Sequence, residues 1–150
     1  MKKIFLSLAL VSMAACGSDS ETLDIIDPNE ASIIGKWYIE KAEVYRSGSQ
    51  QTQTSFSSEC EKKRTHEFKT TNMTSITFAP EGNNCVQTDV VTRNYTFDKA
   101  NMKFWYEEEQ DYPYFITQLT QSNMVMEDRT QDVDGDGTKD IIRRFFNKTH

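Results

Sequence analysis

Four carboxylates in one short stretch are the residues of this chain best suited to chemistry: Asp132-Val133-Asp134-Gly135-Asp136-Gly137-Thr138-Lys139-Asp140. Asp132, Asp134 and Asp136 alternate, so a looped backbone can turn all three toward one centre. Gly137 permits a sharp turn after the third. The Thr138 carbonyl and the Asp140 carboxylate follow, the latter directly or through a water. Carboxylates this close repel one another, and a hard, oxygen-seeking cation relieves the repulsion. The chemistry expected of Asp132, Asp134, Asp136, Thr138 and Asp140 is calcium binding. The competing reading is a solvated acidic turn, because Asp-Gly is itself a turn signal.

The stretch resembles the first nine positions of an EF-hand loop. Arg143 stands at the twelfth position, where that loop carries a bidentate Glu, and no helical pattern flanks it. It is therefore more similar to the shorter Asp-x-Asp-x-Asp-Gly-x-x-Asp loops of extracellular calcium modules. Without the bidentate Glu, the expected affinity lies in the extracellular range of about 0.1–1 mM.

Other polar clusters carry less. Glu107-Glu108-Glu109-Gln110-Asp111 reads as a solvated loop. His66 and His150 have no Cys or His at ligand spacing, which argues against zinc. No nucleophile elbow and no Cys–His pairing is visible, so nothing in the sequence points to an enzyme.

The whole chain carries 17 Lys and Arg against 23 Asp and Glu, a formal net charge of −6. An acidic balance argues against nucleic acid as a partner and against electrostatic docking on anionic lipid. Lys2 and Lys3 precede the apolar run Ile4–Val11 and the small residues Ala14-Ala15, the pattern of a secretory signal peptide. Cys16 follows directly, so the leader resembles a bacterial lipoprotein signal with its lipobox, Met13 standing where Leu is usual. The resemblance implies that Cys16 becomes the first mature residue and carries the lipid. An ordinary cleaved signal with an incidental cysteine is the alternative. Gly17, in place of Asp, is similar to the sorting rule for the Gram-negative outer membrane. Ser18-Asp19-Ser20-Glu21 resembles signals for export to the cell surface. The expected place is thus the outer membrane, on its periplasmic face or at the surface, with the Cys16 lipid as the membrane contact.

With Cys16 assigned to lipid and the compartment oxidising, Cys60 and Cys85 are left to pair. Closing that loop stabilises by about 3 kcal/mol in the chain-entropy model. Two free thiols are the alternative. The organisation expected is a signal peptide over 1–15, an acidic flexible tether over 16–31 and one domain over 32–150.

The elements that must hold these residues read as β throughout. Strands are predicted near 33–45, 64–70, 72–79, 86–97, 101–108, 113–120, 123–129 and 140–147, with a long polar loop at 47–58. Tight turns separate them, which predicts an all-β, up-and-down antiparallel meander of eight strands closed into a barrel. Met102, Phe104 and Tyr106 share one face. In the first strand Trp37 and Ile39 share a face, but Ala42 and Val44 continue on the wrong parity. A bulge near Glu40–Lys41 repairs this.

Ile33-Ile34-Gly35-Lys36-Trp37-Tyr38 opens the domain with a Gly-x-Trp signature. Cys60-Glu61-Lys62-Lys63, a strand centred on Phe68, Cys85 and Tyr114-Phe115-Ile116-Thr117-Gln118-Leu119-Thr120 follow. Together these resemble the lipocalin-like domain of Gram-negative lipoproteins, over about residues 30–150. The resemblance implies that Trp37 plugs one end of the barrel and that a basic residue on the last strand packs over it. Arg143 and Arg144 are the candidates, and the doubled pattern Ile141-Ile142-Arg143-Arg144-Phe145-Phe146 leaves their parity open. It also implies binding of a small apolar or amphipathic molecule in a cavity lined by Phe68, Ile76, Phe78, Tyr95, Phe97, Phe104, Tyr106, Met124 and Met126. The rival is a barrel filled by these same side chains, acting as a surface interaction or structural lipoprotein with a calcium-stabilised hairpin. An apolar cavity of ~300 Å³ or more favours the binder.

Overall fold

Short stretches rich in Thr, Val, Ile, Phe and Tyr form strands where alternation lets one face be buried. The computed structural model describes residues 31–149. Its strands are β1 (Gly35–Arg46), β2 (Gln51–Phe56), β3 (Thr65–Phe68), β4 (Asn72–Glu81), β5 (Asn84–Asp98), β6 (Lys103–Tyr106), β7 (Tyr114–Leu119), β8 (Asn123–Asp128) and β9 (Ile141–Lys148). The leader, Cys16, the tether up to residue 30 and His150 lie outside the described residues.

From β3 to β9 each strand pairs antiparallel with the next, and β9 returns to pair with β1. β2 and β3 both lie along β1, β2 against Lys41–Arg46 and β3 against Gly35–Trp37. They are two segments of one interrupted strand, so the closed barrel counts eight. The interruption carries a 3₁₀ turn at Glu61–Lys63. The Cys60–Cys85 disulfide ties it to β5, and Arg64 Nε donates to the Phe78 carbonyl at 2.9 Å.

The polar loop expected at 47–58 is instead a hairpin, with a turn at 47–50 leading into β2. Every residue of β2 is exposed, so no apolar alternation marks it. The free backbone groups along β1 recruit it, with Thr52 and Thr54 as β-favouring side chains.

The register of β1 against β9 shifts between Ile39 and Lys41. This is the expected bulge. Ile39 pairs with Phe146 before it, and Ala42 with Arg144 after it, so all four side chains share the inner face. The buried core runs through Ile33, Trp37, Phe68, Met73, Tyr95, Phe104, Ile116, Met124, Met126 and Phe146.

Trp37 is fully buried at the end of the barrel where β1 begins, and its Nε1 donates to the Ile33 carbonyl at 2.8 Å. The basic residue over it is neither Arg143 nor Arg144. Lys148 takes that place, Nζ lying 5.0 Å from the ring centroid. Period-two alternation puts Arg144, Phe146 and Lys148 on the inner face of β9, but only Lys148 is at the level of Trp37, with which it pairs. Arg143 points the other way. Its Nε donates to Glu127 Oε1 at 2.7 Å, and Arg129 Nε donates to Glu127 Oε2 at 2.9 Å. Burial pushes the Glu127 carboxyl up, but the bonds from Arg143 and Arg129 outweigh it and hold the group below the ordinary carboxylate range.

Candidate ligand-binding site

Inward side chains from seven strands leave a cavity of about 190 Å³ in the middle of the barrel. β1 supplies Ile39, β3 His66 and Phe68, β4 Met73, and β6 Phe104 and Tyr106. Tyr114 from β7, Met126 from β8 and Arg144 and Phe146 from β9 complete the lining. The aromatic wall is ordered by ring contacts. Phe104 stacks on Tyr114 with centroids 4.9 Å apart. Tyr106 stands edge-on to both, at 5.7 and 5.9 Å.

The polar groups on this lining are held neutral, with one exception. His66 Nδ1 lies 2.9 Å from Ser75 Oγ. Burial, reinforced by the Arg144 charge, lowers the His66 imidazole to about 4, so it is uncharged at pH 7. Burial, with Tyr114 beside it, pushes the Tyr106 phenol up to about 12. Burial also raises Tyr114. Arg144 is therefore the one charged side chain among the lining residues.

Arg93 covers the Tyr106 ring. Its guanidinium sits 3.8 Å over the Tyr106 ring and pairs with Glu109 at 2.9 Å and Glu108 at 3.4 Å. Part of the acidic run expected to be a solvated loop is thus a 3₁₀ turn, Glu107–Glu109, engaged by Arg93 and by Asn94.

Phe68, Phe104, Tyr106 and Met126 line the cavity as expected. Tyr95 and Phe97 face a separate cleft of about 570 Å³ at the Trp37 end, with Ile33, Met102 and Leu119. Met124 is packed into the core with no exposure. Ile76 and Phe78 fall on the face of β4 opposite Met73 and Ser75, outside the core. β4 has apolar residues on both faces, so its composition alone did not give the inward one. Sequence reasoning missed Ile39, His66, Met73, Tyr114, Arg144 and Phe146 as lining residues. The repaired parity of β1 was a signal for Ile39. His66 was weighed only as a metal ligand.

A model of the lipocalin-like domain matches residues 33–126, from just before Gly35 and Trp37 to the cavity residue Met126. The chain belongs to the lipocalin-like domain family. Among solved structures, a deswapped triple mutant of bovine odorant binding protein is similar at 14% identity and a TM-score of 0.40, over 77% of this chain and 72% of that one. No curated protein matches.

In this lipocalin-like barrel the acidic stretch connects β8 to β9 at the end opposite Trp37. Carboxylate oxygens of Asp132, Asp134 and Asp136 lie within 4.8 Å of one another. The loop is held by its own amides. Asp132 accepts from Gly135 N at 2.7 Å and Gly137 N at 2.8 Å, and Asp136 accepts from Thr138 N at 2.8 Å. The Gly137 amide, with the Gly135 amide, holds Asp132 below the ordinary carboxylate range. The expectation for Asp140 is corrected: it does not join this group. It is fully buried, and its two oxygens accept from Ser47 N at 2.9 Å and Val133 N at 2.8 Å. The start of β9 buries it under the β1–β2 turn, where its carboxylate is a structural pin.

Proposed function

We propose that this lipocalin-like barrel binds a small apolar or amphipathic molecule in its central cavity. One observation carries the reading: aromatic and methionine side chains surround about 190 Å³ of space and do not fill it. That volume falls short of the ~300 Å³ expected above for the binder, so the reading is restricted to a molecule smaller than a drug-sized ligand. The filled-barrel alternative has the packed Phe68, Phe104 and Met124 in its favour, but it leaves the cavity without a use.

The leader pattern supports lipidation at Cys16 and a place on the outer membrane, with the barrel carried on the acidic tether. Cys16→Ser should release the chain from membrane fractions, and continued membrane partitioning would remove this part of the reading. The convergence of Asp132, Asp134 and Asp136 supports calcium at the hairpin, with the Thr138 carbonyl as a further oxygen and Asp140 holding the loop in place.

Titration with 1-octanol followed by thermal melting tests the ligand reading. A saturable rise in melting temperature is expected, reduced in Met126→Trp, where the larger ring fills the cavity. No saturable rise in the parent chain would overturn it.

A further inference from the structure

We infer that the molecule held in the central cavity is a small monoanion with an apolar body, a carboxylate in the simplest case, and that Arg144 takes its head. This rests on the ligand-binding reading above and names the ligand class.

The argument starts from the arginines. The chain has six: Arg46, Arg64, Arg93, Arg129, Arg143 and Arg144. Arg46 bonds Gln53, Arg64 bonds the Phe78 carbonyl, Arg93 pairs with Glu108 and Glu109, and Arg129 and Arg143 share Glu127. Among these arginines, Arg144 alone shows no side-chain hydrogen bond or ion pair to the described residues, and it is the one that lines the cavity. In register it lies between Ala42 and Met126, neither of which can accept from it through a side chain. Asp128 shares the inner face of β8 with Met126 and pairs with Ile142, two residues along the ladder from Arg144. Its oxygens are taken by Thr130 N at 3.0 Å, Thr130 Oγ1 at 2.7 Å and Gln131 Nε2 at 3.1 Å.

An arginine facing an open cavity is solvated by the water inside it. An apolar ligand that displaced this water would leave the guanidinium desolvated and unpartnered, which is costly. A cationic ligand would add repulsion. An anion replaces the water with a charge-assisted bond, and the planar fork of Arg matches a carboxylate in two-point contact. The other polar groups agree. Tyr106 and Tyr114 keep their phenol protons and can donate, and His66 brings no charge. A single guanidinium balances a single negative charge, so a dianion would bury an unmatched charge. The apolar body lies against Phe68, Phe104 and Met126.

The test uses the full chain and three probes with one apolar body: octanoate, 1-octanol and octylammonium, by calorimetry at pH 7.5. A hydrogen bond to a charged group contributes about 1.5–3 kcal/mol, so octanoate should bind at least about tenfold more tightly than 1-octanol, and octylammonium most weakly. In Arg144→Met the octanoate affinity should fall to that of 1-octanol while 1-octanol binding is retained. Arg144→Gln carries the same expectation and serves if the Met variant does not fold. Equal affinity of octanoate and 1-octanol for the parent chain, or a preference that survives loss of Arg144, overturns the inference and leaves the ligand-binding reading standing. Binding of none of the three probes overturns both.

Discussion

Lys148 stretches across Gly35 and sets its ammonium 5.0 Å from the centre of the Trp37 ring. A Cβ on Gly35 would clash with Lys148 Cε, and Gly35 has φ of +133°, a conformation that other residues rarely adopt. The Gly-x-Trp signature is therefore a packing device. The glycine clears the path by which the last strand's lysine reaches the tryptophan.

Stability should follow from that device. Trp37→Ala empties a buried aromatic site and should cost about 3–5 kcal/mol. Gly35→Ala should cost about 1–3 kcal/mol through backbone strain and the displaced lysine. Denaturant melts check both. A loss below about 1 kcal/mol in Trp37→Ala would mean that the ring does not plug the barrel.

His66 gives the fold a pH dependence of defined sign. Its folded value is about 4 against an ordinary 6.5. Between these values the unfolded chain takes up a proton that the folded chain refuses. Stability should fall as pH drops from 6.5 toward 4, and this group's contribution to the loss is complete below about 4. His66→Phe should flatten that part of the profile. Direct titration of the imidazole by NMR should show no protonation until pH is near 4, and a midpoint near 6.5 would contradict the burial argument.

The acidic hairpin should respond to calcium. With an affinity of about 0.1–1 mM, 10 mM calcium stabilises a folded-only site by about 1.4–2.7 kcal/mol. That should read as a rise of several degrees in melting temperature. Asp134→Asn and Asp136→Asn should reduce it, and magnesium should give much less. Asp140→Asn should lower stability without calcium as well, because Asp140 bonds the amides of Ser47 and Val133. No shift at several millimolar calcium would leave the stretch an acidic turn.

Much of the barrel was legible in the sequence because burial leaves a parity. The switch from Trp37 and Ile39 to Ala42 and Val44 located the bulge to within a residue, and Met102, Phe104 and Tyr106 marked the inner face of β6. β2 was illegible because it buries nothing, so its strand comes from pairing with β1 alone. β4 and β9 carry similar residues on both faces. Ile141-Ile142-Arg143-Arg144-Phe145-Phe146 reads the same in either register, which hid both the lone cavity arginine and the role of Lys148. The carboxylates of 132–136 converge as their spacing suggests. Asp140 departs because the start of β9 places it under the β1–β2 turn, a contact 93 residues apart in sequence.

Where a ligand sits can be read from methionine methyl groups. Met73 and Met126 line the central cavity, whereas Met102 lines the cleft at the Trp37 end. Titration of the methyl-labelled full chain with 1-octanol, followed by NMR, should move the Met73 and Met126 signals along one saturable curve and leave Met102 in place. Movement of Met102 with Met73 and Met126 unchanged, or no saturable movement of any methionine methyl, would contradict a binding site inside the barrel.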